Sequence, residues 1–271
     1  MPTLYVVATP IGNLEDISLR AIRILREVKL IAAEDTRKTR RLLAAYDIKT
    51  PMTSYYEHNT LIKLDYILGR LEGGDIALVS EAGTPGMSDP GYELILAASR
   101  SGIAVVPVPG ASVVITALTI SGLATDRFTY LGFLSRKAGE RRKLLESAAD
   151  DPGTIIILEA PHRLREALTA LLSILGDRRI AVCRELTKLY EEVFRGSISQ
   201  AIEHFTEPRG EFTLVIEGRV EKPQQGLTED IRRQLHGMHL SGRKAKEAVA
   251  HLAGETGLSK KELYRAWLEQ N

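Results

Sequence analysis

The chain has 271 residues, 44% hydrophobic and 26% charged, a composition that excludes a disordered or fibrous protein and leaves room for two modest α/β units plus an appendage. Its 36 Lys and Arg stand against 35 Asp and Glu, a net charge of +1, which excludes a global field as the means of holding a polyanion and leaves only local basic patches. The single cysteine, Cys183, excludes an internal disulfide and a cysteine-cluster metal site, and no run of about 18 apolar residues is present to span a membrane. The opening MPTLYVVATP lacks the charged region and long apolar stretch of a signal peptide, so the expectation is a cytoplasmic protein with no membrane partner.

Apolar, β-branched runs predict strands over residues 3–9, 30–33, 75–80 and 103–108, and again over 128–134, 154–159, 179–184 and 211–217. Between them, residues 18–28 place Leu19, Ile22 and Leu25 on one face, and residues 161–174 repeat apolar side chains at spacings of three and four. Both read as amphipathic helices covering a sheet. The fold class is therefore α/β.

Strand, loop and helix sets occur on both sides of the PVPG turn, which divides the chain near residues 109–125 into an N-terminal α/β domain, 1–110, and a C-terminal one, 111–220. A second break is expected in VEKPQQG, residues 220–226, before a helical tail over 227–271. In that tail Ser259-Lys-Lys-Glu262 fits a capping box opening a helix to about Gln270, with Leu263 and Trp267 on one face. Upstream, Ala245, Ala248, Val249 and Leu252 mark the inner face of another helix, and Gly254 and Gly257 supply a turn. The pattern resembles a helix-turn-helix. With eight Lys and Arg against six Asp and Glu, a small helical cap or dimer element explains the tail as well as nucleic-acid contact does.

Three glycine- and proline-rich loops each follow a strand and precede a helix: residues 9–13, 80–91 and 107–112. In an open α/β sheet the ligand crevice lies beyond the carboxyl ends of the strands, where glycines let the backbone approach a ligand, so the three predict one shared site. Neither GxxxxGK[ST] nor GxGxxG occurs, and residues 80–91 contain no Lys or Arg, which argues against a phosphate-rich ligand. Glu81, Asp89, hydroxyls and backbone groups instead suit a ligand bearing an ammonium, hydroxyls and a sulfonium, a description that S-adenosylmethionine meets. The six His are scattered and no ligand-spaced cluster appears, so no metal is expected.

The segments TPIGNLEDIS, AAEDTRKT, SEAGTPGMSDPG, PVPGAS, GFLSRK, EAPHRL and RELTKLYEE occur in this order over residues 3–218. Together they resemble the ribosomal RNA small subunit methyltransferase I family of the tetrapyrrole methylase superfamily, bacterial enzymes that methylate the ribose 2′-hydroxyl of a cytidine in the decoding region of 16S rRNA. The resemblance implies two α/β domains of the tetrapyrrole methylase (class III methyltransferase) type with a cofactor cleft between them, a small C-terminal helical tail, S-adenosyl-L-methionine as cofactor, 16S rRNA in the small ribosomal subunit as partner, and a homodimer. It also implies that Pro10, Gly12, Gly83, Thr84, Pro85, Asp89, Gly110, Ala111 and Ser112 hold the cofactor.

A ribose hydroxyl is a weak acid, so a nearby proton acceptor should help by about 10² to 10⁴. Glu34, Asp35 and Glu185 follow strands and are candidates, as is Glu159 with His162. An ion pair or helix-capping role is the alternative for each. Arg37, Lys38 and Arg184 are candidate phosphate contacts. The densest basic stretch, Ser135 to Lys143, offers Arg136, Lys137, Arg141, Arg142 and Lys143 against Glu140, to grip RNA or to form a solvated helix face. Two other functions fit the same loops: a small-molecule, tetrapyrrole-type methyltransferase, and a non-enzymatic RNA-binding ribosome-assembly factor.

Overall fold

The computed structural model describes residues 2–56, 60–220 and 227–269. Five short strands, β1 (Thr3–Val7), β2 (Leu30–Ala33), β3 (Met52–Ser54), β4 (Ile76–Val79) and β5 (Ala104–Val108), form an all-parallel sheet in the order β3-β2-β4-β1-β5. Every residue of β2 and β4 is buried, as parallel strands covered on both faces require. One face packs α1 (Leu19–Glu27) and α2 (Thr36–Ala45) through Ile24, Leu25, Leu42 and Leu43. The other packs α3 (Thr60–Leu71) and α4 (Tyr92–Arg100) through Ile67, Leu71, Leu94 and Ala98. Each large apolar side chain so buried contributes roughly 1.5–3 kcal/mol relative to exposure.

The apolar stripe of α1 differs from the expected one. Ser18 caps the helix by accepting from Ala21 N at 3.1 Å, and Ala21, Ile24 and Leu25 face the sheet. Leu19 is 87% exposed, because two residues carry it about 200° round the helix from Ala21.

From β5 the chain enters α5 (Val113–Ser121), a helix apolar on all sides, which lies against a second sheet. That sheet contains β6 (Phe128–Phe133), β7 (Thr154–Glu159), β8 (Arg179–Arg184), β9 (Glu192–Ser197) and β10 (Phe212–Ile216) in the order β6-β7-β10-β8-β9. The β6–β7 pair is parallel and the other three pairs are antiparallel. Its inner face meets α5 through Ile156, Ala181 and Val215 against Val114, Ala117 and Leu118. Its outer face is covered by α6 (Ala138–Ala148), α7 (Leu164–Leu175) and α8 (Ile198–His204), around Leu145, Leu168, Leu171, Ile198 and Leu214.

Two strands were not among those expected. β3 has three residues and no apolar run, and β9 interleaves Glu192 and Arg195 with apolar residues at the sheet edge, where polar side chains reach water. Each sheet occupies its own stretch of chain, one before and one after residues 109–127, and residues 1–219 together form one compact unit.

The second unit, residues 220–271, holds α9 (Glu229–Leu240), α10 (Ala245–Thr256) and α11 (Lys260–Leu268) around Leu235, Ala248, Val249, Leu252, Leu263 and Trp267. Ser259 caps α11, accepting from Glu262 N at 3.2 Å. Gly254, expected in a turn, lies inside α10, which continues to a left-handed stop at Gly257 with φ +72°. Of the linker expected at 220–226, residues 221–226 lie outside the described residues, as does Gln270. Among the described residues, no helix is long and apolar enough to cross a membrane.

Candidate functional site

The turns after β1, β4 and β5 converge at the carboxyl end of the parallel sheet. Thr9 and Gly83 pair as an isolated antiparallel bridge, with N–H to carbonyl distances of 2.8 and 3.0 Å, so the first turn is tied to the long loop 80–91. Gly83 takes φ +77°, a left-handed value that a side chain would oppose. Thr84 Oγ1 donates to Ala111 O at 3.4 Å, and Ser112 caps α5, which brings in the third turn. Gly12 closes against the loop after β8: a Cβ there would stand 2.5 Å from Lys188 Cγ and 2.9 Å from Leu186 O.

These turns and the second sheet enclose a cleft of about 400 Å³. From the parallel sheet it is lined by Ile11, Glu34, Glu81, Gly83, Thr84, Met87, Asp89, Ser112 and Val113. From the second sheet come Tyr130, Phe133, Leu158, Glu159, Glu211 and Thr213. The loop 80–91 reaches across it. Ser88, a non-glycine residue at φ +66°, places its hydroxyl 2.6 Å from Tyr130 Oη. A left-handed non-glycine residue costs on the order of 1–3 kcal/mol and persists where its surroundings enforce it, which here is the clasp between the two sheets.

The lining is acidic, and among the described residues it includes no Lys or Arg. Asp89 is pushed up to about 7 by burial and by the charge of Glu34, against which the Ser80 hydroxyl acts. Burial also raises Glu34, with Asp35 adding to the effect and Lys38 opposing it. Glu34 Oε2 accepts from Glu81 N at 2.8 Å. Cations stand behind the lining carboxylates: Lys38 Nζ pairs with Glu81, Lys188 Nζ lies 2.7 Å from Glu211 Oε2, and Arg163 Nη1 lies 3.6 Å from Glu159 Oε1. Glu159 is 2% exposed, its carboxyl is raised by burial, and its Oε2 has no hydrogen-bond partner. An acid-rich cleft with apolar walls at Ile11, Phe133 and Leu158 fits a ligand that couples positive charge to a flat or apolar body.

Of the residues the sequence points to, Glu34, Glu81, Gly83, Thr84, Asp89, Ser112 and Glu159 lie on the cleft, whereas Pro10, Gly12, Pro85, Gly110 and Ala111 build the turns behind it. Asp35 is the N-cap of α2, its carboxylate accepting from Arg37 N and Lys38 N at 2.8 and 3.3 Å, a capping role in place of proton transfer. Glu185 is off the cleft too: its Oε1 accepts from Lys188 Nζ at 3.0 Å and Glu211 N at 2.9 Å. Arg37 is exposed beside Asp35, and Arg184 is half-buried, donating to Arg209 O and pairing with Glu192 at 3.1 Å.

The basic run needs the largest correction. Arg141 is 7% exposed and pairs with Glu166 at 2.5 Å, because α6 turns this position inward beside Leu145. It offers RNA no free charge. Arg136, Lys137, Arg142 and Lys143 remain at the surface, Lys137 beside Glu140 and Arg142 beside Glu146. Sequence reasoning did not single out Tyr130 and Phe133 as cleft residues. The available signal was Gly132 inside an apolar strand, which marks the bulge between Tyr130 and Gly132 that re-aims the chain.

Comparison with known proteins agrees with this architecture. Residues 3–202 match the model of the Tetrapyrrole (Corrin/Porphyrin) Methylases. The chain is 46% identical to a ribosomal RNA small subunit methyltransferase I of Halalkalibacterium halodurans, over 99% of this chain and 95% of the relative. It is 48% identical to the protein of that name from Synechocystis sp., over 99% and 98%. Among solved structures, a uroporphyrin-III-C-methyltransferase from Thermus thermophilus superposes with a TM-score of 0.59 at 20% identity, over 80% of this chain and 94% of that one. A diphthine synthase gives 0.62 at 16% identity, over 80% and 90%. Two α/β sheets with a cleft at their junction, a family match over most of the chain and near-full-length relatives lead to one assignment: the chain belongs to the tetrapyrrole methylases and, within them, to the ribosomal RNA small subunit methyltransferase I family.

Proposed function

We propose that this protein transfers the methyl group of S-adenosylmethionine to the ribose 2′-hydroxyl of a cytidine in the decoding region of 16S rRNA, acting in the cytoplasm as a homodimer on the small ribosomal subunit. The observation that carries the reading is an acid-lined cleft without a lining cation, in a chain whose near-full-length relatives are named for small-subunit rRNA methylation. When bound, S-adenosylmethionine supplies an electrophilic methyl group on a positively charged sulfur.

The chain's own task is mostly placement, which is worth roughly 7–11 kcal/mol in a well-aligned reaction. Asp89 and Glu81 would offset the cofactor's positive charge, and the turns at Gly83 and Ala111 would offer backbone groups to its polar atoms. Ile11, Phe133 and Leu158 exclude water from its apolar body. Of the candidate carboxylates, Glu34 and Glu159 stand on the cleft and off a helix cap; Glu159 is 2% exposed and lies 3.6 Å from Arg163, which leaves Glu34 the more accessible of the two. With its affinity for protons raised by burial, it is placed to take the 2′-hydroxyl proton onto a carboxylate oxygen. Arg136, Lys137, Arg142 and Lys143 hold the RNA strand by its phosphates.

The test is incubation with isotope-labelled S-adenosylmethionine and either unmodified small subunits or naked 16S rRNA, followed by nucleoside mass spectrometry. Label in 2′-O-methylcytidine is expected. Absence of label from both substrates, with the cofactor bound, would overturn the RNA assignment and move the substrate to a small molecule.

A further inference from the structure

The chain leaves β6 at Leu134 and Ser135 to begin the basic run, and guanidinium groups hold both carbonyls from inside. Arg163 Nη2 donates to Leu134 O at 2.6 Å, and Arg141 Nη1 donates to Ser135 O at 3.3 Å. Each guanidinium is fixed in turn. Arg141 Nη2 meets Glu166 Oε1 at 2.5 Å, and Arg163 Nη1 lies 3.6 Å from Glu159 Oε1. Arg141 and Glu159 are buried, 7% and 2% exposed, whereas the Glu166 side chain reaches solvent at 63%. It ties α6, the end of β7, the turn Pro161–Arg163 and α7 to one point of backbone.

Buried ion pairs are a poor means of stabilising a core, since apolar residues of the same volume do as well or better. What this array supplies is direction. The planar guanidinium of Arg141 donates to Ser135 O and to Glu166 at once, which a lysine ammonium on one flexible stem does less rigidly. Outside the array stand the exposed cations. Arg136 and Lys143 have no ion pair among the described residues, and Phe133, the residue before the held carbonyls, lines the cleft.

Resting on the RNA reading above, we propose that Arg141 and Arg163 are positioning residues for RNA binding: they clamp the turn at Leu134 and Ser135 so that the exposed cations of 136–143 stand at a fixed place beside the cleft. The clamp touches no phosphate. Losing it leaves the exposed cations of the run intact but makes RNA binding order a loose segment, so affinity falls while the number of neutralised phosphates stays nearly constant. Losing the exposed cations does the reverse, lowering the salt dependence itself.

The experiment measures binding of naked 16S rRNA to the full chain across salt concentrations, S-adenosylmethionine binding by calorimetry without RNA, and amide exchange over residues 134–143. Arg163→Met and Arg141→Met should weaken RNA binding about five- to twentyfold at every salt concentration, as costs of ordering a few side chains imply. The slope should stay within about 0.5 of the parent value, a shift smaller than one neutralised phosphate produces. For Arg141→Met, whose hydrogen-bond and ion-pair partners Ser135 and Glu166 lie off the cleft, cofactor affinity should stay within about twofold of the parent value, a difference too small for removal of a group that touches the ligand, and in both variants exchange should quicken at residues 134–137. Arg141→Lys should fall between, and it decides the question if a methionine variant does not fold. The control Arg136→Ala/Arg142→Ala/Lys143→Ala should lower the slope by about 0.7 for each phosphate no longer neutralised. Unchanged RNA binding in the clamp variants, with a weakened control, overturns the positioning role and leaves the RNA reading standing. An unaffected control overturns the RNA role of the run and the proposal with it. Parallel loss of cofactor affinity in Arg141→Met reduces the array to core support and also overturns the proposal.

Discussion

Asp89→Asn should stabilise the protein in a pH-dependent way. The Asp89 carboxyl lies in the cleft and is pushed from 3.8 to about 7 in the fold, by burial first and by Glu34 second. A carboxyl raised in this way keeps its proton in the folded state while the unfolded chain has already released one, so stability falls as pH rises between about 4 and 7 and the whole cost is present above 7. At full value three pKa units are worth about 4 kcal/mol. Solvent in the open cleft screens this to about 1–2 kcal/mol, or roughly 2–8 °C in melting temperature for a chain of this size. Thermal unfolding followed by circular dichroism should therefore show Asp89→Asn melting higher than the parent at pH 8, by a margin that shrinks toward pH 5. Saturating S-adenosylmethionine should narrow the gap at pH 8, because a positive ligand favours the ionised carboxylate that only the parent possesses. An equal offset at pH 5 and pH 8, or a lower melting point for Asp89→Asn at pH 8, would refute the reasoning.

Three other perturbations have defined outcomes. Gly12→Ala forces a Cβ to within 2.5 Å of Lys188 Cγ and 2.9 Å of a backbone oxygen, so denaturant titration should show a loss of about 1–3 kcal/mol. Tyr130→Phe removes the 2.6 Å hydrogen bond with Ser88 that clasps the long loop, worth about 1 kcal/mol, and should raise the calorimetric Kd for S-adenosylmethionine about fivefold. Glu34→Gln keeps an acceptor for Glu81 N but takes no proton; single-turnover methyl transfer should slow about 10²- to 10⁴-fold while cofactor binding changes far less.

Features carried by local pattern were legible in the sequence. The buried strands β2, β4, β7, β8 and β10 are short apolar runs, and Ser18 and Ser259 announce the helices they cap. The three turns of the cleft are likewise visible as glycine and proline clusters. Properties that depend on distant partners were not. Nothing near Arg141 in sequence reveals that Glu166 waits 25 residues on to draw it inward. The acid cluster AAEDTRKT holds two carboxylates of similar appearance, yet helix α2 begins at Thr36, just after the second, so Asp35 caps while Glu34 turns to the cleft. Tyr130 and Phe133 became cleft residues only because a second sheet packs opposite the first, a tertiary fact that a strand pattern does not encode. β9 escaped notice for the opposite reason: an edge strand meets water on one side and has no need of an unbroken apolar run.

The strand order of the second sheet also sets a timetable. β10 lies between β7 and β8, although it is the last of the five to be synthesised. Until Phe212–Ile216 has left the ribosome, β7 and β8 have no central neighbour, and β7, rich in Ile, and β8, with Ile180 and Val182, each present a bare edge of unpaired amides and carbonyls. Roughly 30 residues separate the end of β8 from β10, an interval of about 2–6 seconds at bacterial elongation rates. During that interval the nascent chain carries an aggregation-prone edge, and products truncated between β8 and β10 keep that edge permanently.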